Sequence, residues 1–128
     1  MVYRDGPPID PAALSGLFAA VGFTRPRDAA HMTAMVEGSR WVVSAWDDAR
    51  LVGFARCISD GVDNAYVSTV AVLPEYQRRG IGRTLMRRLM DGRDGIKFVL
   101  HTQPAARRLY QGLGFVDAAD MLVRERQR

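Results

Sequence analysis

The residues with the clearest chemical potential are the arginines and glycines of one short segment, Gln77-Arg78-Arg79-Gly80-Ile81-Gly82. The segment follows an apolar run that ends at Pro74, and it precedes a run with the apolar spacing of a helix. The first N–H groups of a helix have no partner within the helix, and together with the helix dipole they bind anions. Glycines let a ligand approach the backbone, and arginines grip phosphate. The segment therefore predicts a pyrophosphate site.

Two other phosphate-binding motifs fit this segment less well. The Walker loop requires Gly-Lys-Ser/Thr, which is absent from the segment. The dinucleotide fingerprint requires a third glycine or an alanine where this chain has Leu85. Neither class of nucleotide-binding protein is favoured.

The segment resembles the acetyl-CoA signature of the Gcn5-related N-acetyltransferases, which has the form Gln/Arg-x-x-Gly-x-Gly/Ala. A second block, Gln-Pro-Ala-Ala-Arg-Arg-Leu-Tyr-Gln-Gly-Leu-Gly-Phe at residues 103–115, is similar to the family's later helix, which ends in Tyr-x-x-x-Gly-Phe. The two motifs have the family's order and separation. The resemblance implies the acyl-CoA N-acyltransferase fold, acetyl-CoA as co-substrate, and direct transfer to the primary amine of a small molecule, with an aralkylamine as one candidate.

The resemblance also implies roles for individual residues. Pantetheine should lie where the strand before the signature diverges from the next strand, paired with backbone groups of Val70 and Val72. The Val72 N–H should polarise the thioester oxygen, and Tyr110 should protonate the leaving thiolate. Gln103 stands where the family usually has asparagine. The implied cofactor contacts are Val70, Ala71, Val72, Gln77, Arg78, Arg79, Gly80, Ile81, Gly82, Arg83, Thr84, Gln103, Ala106 and Tyr110.

The general base is left open by the sequence. Family members often place a glutamate on the strand that leads to the signature, but residues 64–70 of this chain contain no carboxylate. One alternative is a water molecule held by Ser68 or Thr69. The other is a side chain that the fold brings to the pocket, from the set Asp60, Asp63, His31 and Glu37.

A mixed α/β fold must position these residues. We expect one domain over residues 1–128, with the order β-α-α-β-β-β-α-β-α-β and a partly antiparallel sheet. Asp10 and Asp28 predict the starts of the first two helices. The other expected elements are a hairpin of strands 41–46 and 51–58, a strand at 65–73, a helix at 83–90, a strand at 96–100, a helix at 104–113, and a final strand or strand pair at 115–116 and 121–123.

Composition limits the other possibilities. The 128 residues are 48% hydrophobic and 25% charged, as in a soluble domain, and no apolar run approaches the ~20 residues that cross a bilayer. The first residues lack the apolar core of a signal peptide, which favours a cytoplasmic protein without a membrane partner. Cys57 is the single cysteine, and the two histidines have no third ligand nearby in sequence, so we expect no metal site.

Two rival functions stay open, one because of the net charge of +4 and the other because of a missing carboxylate. A basic nucleic-acid-binding module is one, but the arginines gather at a single helix start after glycines, which disfavours it. A CoA-binding regulator without turnover is the other, because the strand before the signature lacks a carboxylate. A homodimer joined through the last strand is also expected, since dimers are common in the family that the chain resembles.

Overall fold

The computed structural model describes residues 1–127, and it contains five strands and four α-helices within them. Two short 3₁₀ turns occupy Pro74–Tyr76 and Pro104–Ala106. The elements in chain order are β1 (Val2–Asp5), α1 (Pro11–Ala20), α2 (Ala29–Glu37), β2 (Trp41–Asp47), β3 (Arg50–Ser59), β4 (Asn64–Val72), α3 (Ile81–Met90), β5 (Lys97–Leu100) and α4 (Arg107–Gly112).

The two N-terminal helices begin where their capping residues predict. The Asp10 carboxylate accepts a hydrogen bond from the Ala12 N–H at 3.2 Å, and Pro11 occupies the first helical position. The Asp28 carboxylate accepts one from the His31 N–H at 2.8 Å. Both predicted helix starts are confirmed.

The sheet has the order β1-β2-β3-β4-β5, in which the first four strands are antiparallel and β5 is parallel to β4. The β2–β3 hairpin turns at Asp48, whose φ is 50°. The helix α3 makes the crossover that a parallel pair requires. The expected mixed sheet is therefore confirmed.

Helices cover both faces of β3. Gly53 faces α3 so closely that a Cβ built on it would lie 3.1 Å from Ile81 Cγ2 and 3.2 Å from Leu85 Cδ1. Phe54 points to the opposite face, where its ring centroid lies 6.1 Å from that of Phe18 in α1. The core thus has two layers, with α3 on one side of the sheet and α1 on the other.

The close packing at Gly53 carries a stability prediction. Gly53→Val places new methyl groups in the fully buried contact with α3, and we expect the free energy of unfolding to fall by about 1–3 kcal/mol. Urea denaturation measures the change. Gly95→Val, in a loop where a new Cβ meets no atom within 4 Å, is the control. A Gly53 variant as stable as this control would contradict the packing.

The predicted final strand or strand pair is wrong for the described chain. Residues 113–127 contain no strand, and α4 ends at Gly112. The apolar run is only three residues long, and it is exposed, with Leu122 at 97%. Strands of two or three residues offer too few ladder bonds and too little burial to form. The homodimer was expected to join through this strand, and the described residues do not contain it.

The predicted helix over 104–113 is also divided. A 3₁₀ turn occupies Pro104–Ala106 before the α-helix begins at Arg107. None of the helices described within residues 1–127 is long and apolar enough to span a membrane.

Candidate active site

The strand β4 extends beyond its pairing with β5, which ends at Leu100. Their pairing runs from Asn64 opposite Lys97 to Val67 opposite Leu100, whereas β4 continues to Val72. Ser68 is an extra residue in the pairing with β3, because Thr69 lies opposite Arg56 and Val67 opposite Cys57. Such a bulge bends its strand and increases the local twist. From the bulge onward β4 has no paired strand on the β5 side, as the expected gap requires.

The backbone of β4 presents free groups to this gap. The Leu73 N–H donates to the Val52 carbonyl at 2.9 Å. Successive residues of an antiparallel pair alternate in direction, so Ala71 also directs its groups at β3, while Val70 and Val72 direct theirs into the gap. The Val72 carbonyl accepts a hydrogen bond from Gln77 Nε2 at 3.0 Å, which leaves the Val72 N–H available. Ala71 is buried at 3% exposure and lies apart from the open edge.

The segment after β4 leads to the uncapped start of α3. Gly80 is the N-cap residue, with a φ of 82°, and no side chain caps the helix within the described chain. The first helical bond is donated by the Thr84 N–H to the Gly80 carbonyl at 3.0 Å. The N–H groups of residues 81–83 therefore point out of the helix end. With the helix dipole they form an anion-binding site.

The structure requires glycine at the two signature positions for different reasons. A side chain at Gly80 would meet no atom within 4 Å, but its left-handed backbone favours glycine. A Cβ on Gly82 would lie 3.3 Å from Leu109 Cδ2. Gly82 therefore lets α4 approach α3, a packing role that the sequence interpretation missed when it assigned both glycines to phosphate approach.

The arginines of the signature surround this helix end. Arg78, Arg79 and Arg83 are exposed, and none of them belongs to an ion pair within residues 1–127. The Arg79 guanidinium lies 5.0 Å from the centre of the Tyr76 ring. By contrast, Arg88 is an exposed residue of α3 that pairs with Asp5 at 3.3 Å.

The remaining predicted contacts lie on α3 and on the approach to α4. Gln103 is exposed, and its carbonyl accepts a hydrogen bond from the half-buried Ala106 N–H at 3.0 Å. The Thr84 hydroxyl donates to the Gly80 carbonyl at 3.0 Å, so its proton is used within the helix. Ile81 is buried against the sheet, and only its N–H is placed to meet a ligand.

Tyr110 is a buried residue of α4. It is 7% exposed, and its ring stands edge-on to Phe115 with 5.8 Å between centroids. Burial raises the pKa of the phenol, because a phenolate is poorly solvated there. Tyr110 therefore keeps its proton at neutral pH. It also borders an open cleft of about 1110 Å³ between β5 and residues 113–123, which no residue of the signature lines.

The four side-chain candidates for the general base are all exposed. The Asp60 carboxylate accepts hydrogen bonds from the N–H groups of Val62 and Asp63, both at 2.8 Å, and these bonds lower its pKa. His31 contacts Arg25 at 3.3 Å on an exposed face of α2. Asp63 and Glu37 are also exposed.

Ser68 and Thr69 directly follow Val67, the last β4 residue paired with β5, so they stand where the gap begins. Both accept hydrogen bonds from the Arg56 guanidinium at 3.0 Å, so each keeps its own proton to donate. Sequence analysis missed Arg56. Its signal was a single charged residue within the otherwise apolar run 51–58.

The sequence model of the Acetyltransferase (GNAT) family matches residues 14–115, from within α1 to the end of the second motif. The chain belongs to this family. The match includes both motifs that carried the resemblance.

Two named relatives are similar to this GNAT protein over most of its length. GCN5-related N-acetyltransferase 1, chloroplastic, of Arabidopsis thaliana is 37% identical over 113 residues, covering 84% of this chain and 56% of the relative. Serotonin N-acetyltransferase 2, chloroplastic, of Oryza sativa subsp. japonica is 34% identical over 128 residues, covering 94% and 64%. The chain thus spans less than two thirds of the length of these relatives.

Solved structures confirm the GNAT fold. A GNAT family acetyltransferase from Streptococcus pneumoniae superimposes with a TM-score of 0.80 at 23% identity, covering 98% of each chain. An aminoglycoside N-acetyltransferase solved in complex with CoA gives 0.72 at 18% identity, covering 99% of this chain and 95% of that one. At such identities the likeness shows the fold alone.

Proposed function

We propose that this GNAT protein transfers the acetyl group of acetyl-CoA to the primary amine of a small molecule. One observation carries the proposal: the free β4 edge at Val70 and Val72 leads directly to the uncapped start of α3 with its three arginines. An extended thioester arm can pair with the first feature while a pyrophosphate binds the second. The bulge at Ser68 opens the sheet for this arm.

The reaction then uses groups at the gap together with Tyr110 of α4, the helix that packs on Gly82. The amine nitrogen attacks the thioester carbon, the C–N bond forms, and the C–S bond breaks. The Val72 N–H donates to the thioester oxygen, where negative charge develops. Tyr110 gives its proton to the departing thiolate, and the attacking amine loses a proton to a water held by Ser68 and Thr69. No covalent bond to the enzyme forms at any step.

The acceptor class we propose is an amine with an aromatic group. Phe23 is 38% exposed and stands edge-on to the buried Phe18 of α1, with 5.2 Å between ring centroids, so its open side can pack against an aromatic acceptor. Trp41 and Trp46, by contrast, are covered by Arg93 and Arg4, at 3.9 Å and 4.8 Å from their ring centres. A relative named as a serotonin N-acetyltransferase agrees with an aromatic amine.

Release of free thiol from acetyl-CoA tests this function. We expect thiol release that depends on an added amine, with one acetylated amine detected by mass spectrometry for each CoA. The panel contains phenylethylamine, tryptamine, spermidine and a peptide with a free N-terminus. Thiol release without any acetylated amine would contradict acetyl transfer. Equal rates with spermidine and with the aromatic amines would contradict the aromatic class.

A further inference from the structure

A second group of arginines lies on the sheet face opposite α3. The guanidinium carbon of Arg27, in the loop between α1 and α2, lies 5.2 Å from the centre of the Phe18 ring. Phe18 in turn packs against Phe54 of β3. Arg56 follows Phe54 by two residues and so points to the same face. This face is separate from the α3 start, where the signature arginines lie.

Arg56 is held by neutral partners only. Its guanidinium donates to Thr69 Oγ1 and Ser68 Oγ at 3.0 Å, and to Ser39 Oγ at 3.4 Å. Burial, and then the positive charge of Arg27, lowers the pKa of Arg56. A partly buried cation without an opposite charge is costly, and an anionic ligand removes that cost.

Arg27 is held by one neutral acceptor, the Arg25 carbonyl, to which its Nη1 donates at 3.2 Å. Its Nε–H is buried without a hydrogen-bond partner among the described residues. The ion pairs within residues 1–127 are Arg50–Glu75, Arg88–Asp5 and Arg107–Asp117, so neither Arg27 nor Arg56 has a carboxylate within 4.0 Å.

The charged groups around Arg27 leave the positive charge in place. Arg25 and Arg126 both lower the pKa of Arg27, after burial. The nearest acid in sequence, Asp28, is engaged as the cap of α2 at 2.8 Å from the His31 nitrogen. The site therefore has two cations and a buried unpaired donor but no anion of its own.

The position of this group relative to the reaction suggests what it binds. Ser68 and Thr69, which Arg56 holds, immediately precede Val70 at the open edge of β4. An anion bound by Arg56 would therefore lie beside the acetyl group, on the side of the sheet where α1 and α2 lie. The attacking amine must therefore belong to a molecule that reaches from this anion site to the acetyl group.

We propose that the acceptor of this enzyme carries a carboxylate close to its amine, as an amino acid does, and that Arg27 and Arg56 bind this carboxylate. The inference rests on the proposed acetyltransferase function. An arginine fork matches a carboxylate in geometry and charge. The carboxylate would also supply the acceptor that the Arg27 Nε–H lacks.

Matched acceptors with and without the carboxylate test this inference. We expect kcat/KM for phenylalanine to exceed that for phenylethylamine and for phenylalaninamide. Arg27→Gln should lower kcat/KM for phenylalanine by about 10- to 100-fold, as expected for a lost hydrogen bond to a charged group, and leave that for phenylethylamine within about twofold. Arg87→Gln, an exposed residue on the outer face of α3, is the control for a lost surface charge.

A binding measurement separates this inference from the proposed function. Calorimetry with the CoA complex compares N-acetylphenylalanine with N-acetylphenylethylamine, and the expected preference for the carboxylate disappears in Arg27→Gln. Arg56→Lys, which keeps the charge but loses the fork, provides a second variant. Equal binding of both products by the wild type would overturn the carboxylate site. Carboxylate-dependent binding without turnover of any amine would instead contradict the acetyltransferase function.

Discussion

Gly80→Glu is expected to weaken acetyl-CoA binding by about 100-fold or more. The backbone of Gly80 has a φ of 82°, which costs an L-residue about 1–2 kcal/mol. The new carboxylate would also stand at the helix start where the pyrophosphate is expected, and each further 1.4 kcal/mol or so of repulsion is another factor of ten. Isothermal titration calorimetry of the two proteins measures the ratio of the dissociation constants.

A matched control for this substitution lies in the same chain. Gly92 has a φ of 77° and, like Gly80, open space around it. Gly92→Glu therefore imposes the same backbone strain and the same charge away from the α3 start. It should bind acetyl-CoA as the wild type does. If both variants lose binding equally, the loss comes from the strained backbone, and the anion site at α3 is contradicted.

Tyr110→Phe is expected to lower kcat by about 10²- to 10⁴-fold, the range typical of a lost general acid. The dissociation constant of acetyl-CoA should stay nearly unchanged, because the ring and its packing against Phe115 remain. Single-turnover kinetics at saturating acetyl-CoA isolate the chemical step. Tyr3→Phe, on β1, controls for loss of a hydroxyl elsewhere.

The pH dependence of the same step has a definite sign. Burial raises the pKa of Tyr110 above the ordinary value of 10.0, and the residue acts in its protonated form. The limb of the pH profile that Tyr110 sets should therefore fall only above about pH 10, while deprotonation of the amine raises the rate at lower pH. The Tyr110→Phe variant should lack this fall. A variant with wild-type kcat would show that the thiolate takes its proton from water and that Tyr110 serves only the core.

The parts of the site that depend on local sequence could be predicted from it. The N-cap positions of α1 and α2, the turn after Pro74 and the start of α3 are each determined by a few adjacent residues. The free edge at Val70 and Val72 was expected from the family resemblance, and its cause, the bulge at Ser68, emerged only from the register with β3.

The parts that depend on distant contacts could not be predicted. The packing of Gly82 against Leu109 joins residues 27 positions apart in sequence, and it gives Gly82 a role that its motif did not suggest. Arg56 gained its importance from three hydroxyls on two other segments. The predicted final strand is absent from residues 113–127, because the apolar run there is short and exposed and no neighbouring element buries it.

Calorimetric titration of the wild-type chain with acetyl-CoA tests the central claim most directly. We expect one acetyl-CoA bound per chain with a micromolar dissociation constant. The binding should weaken as salt is raised, because arginines and a helix start hold the phosphates. A folded wild-type protein that shows no heat of binding with acetyl-CoA or with CoA, but binds DNA in a salt-dependent way, would contradict the cofactor site.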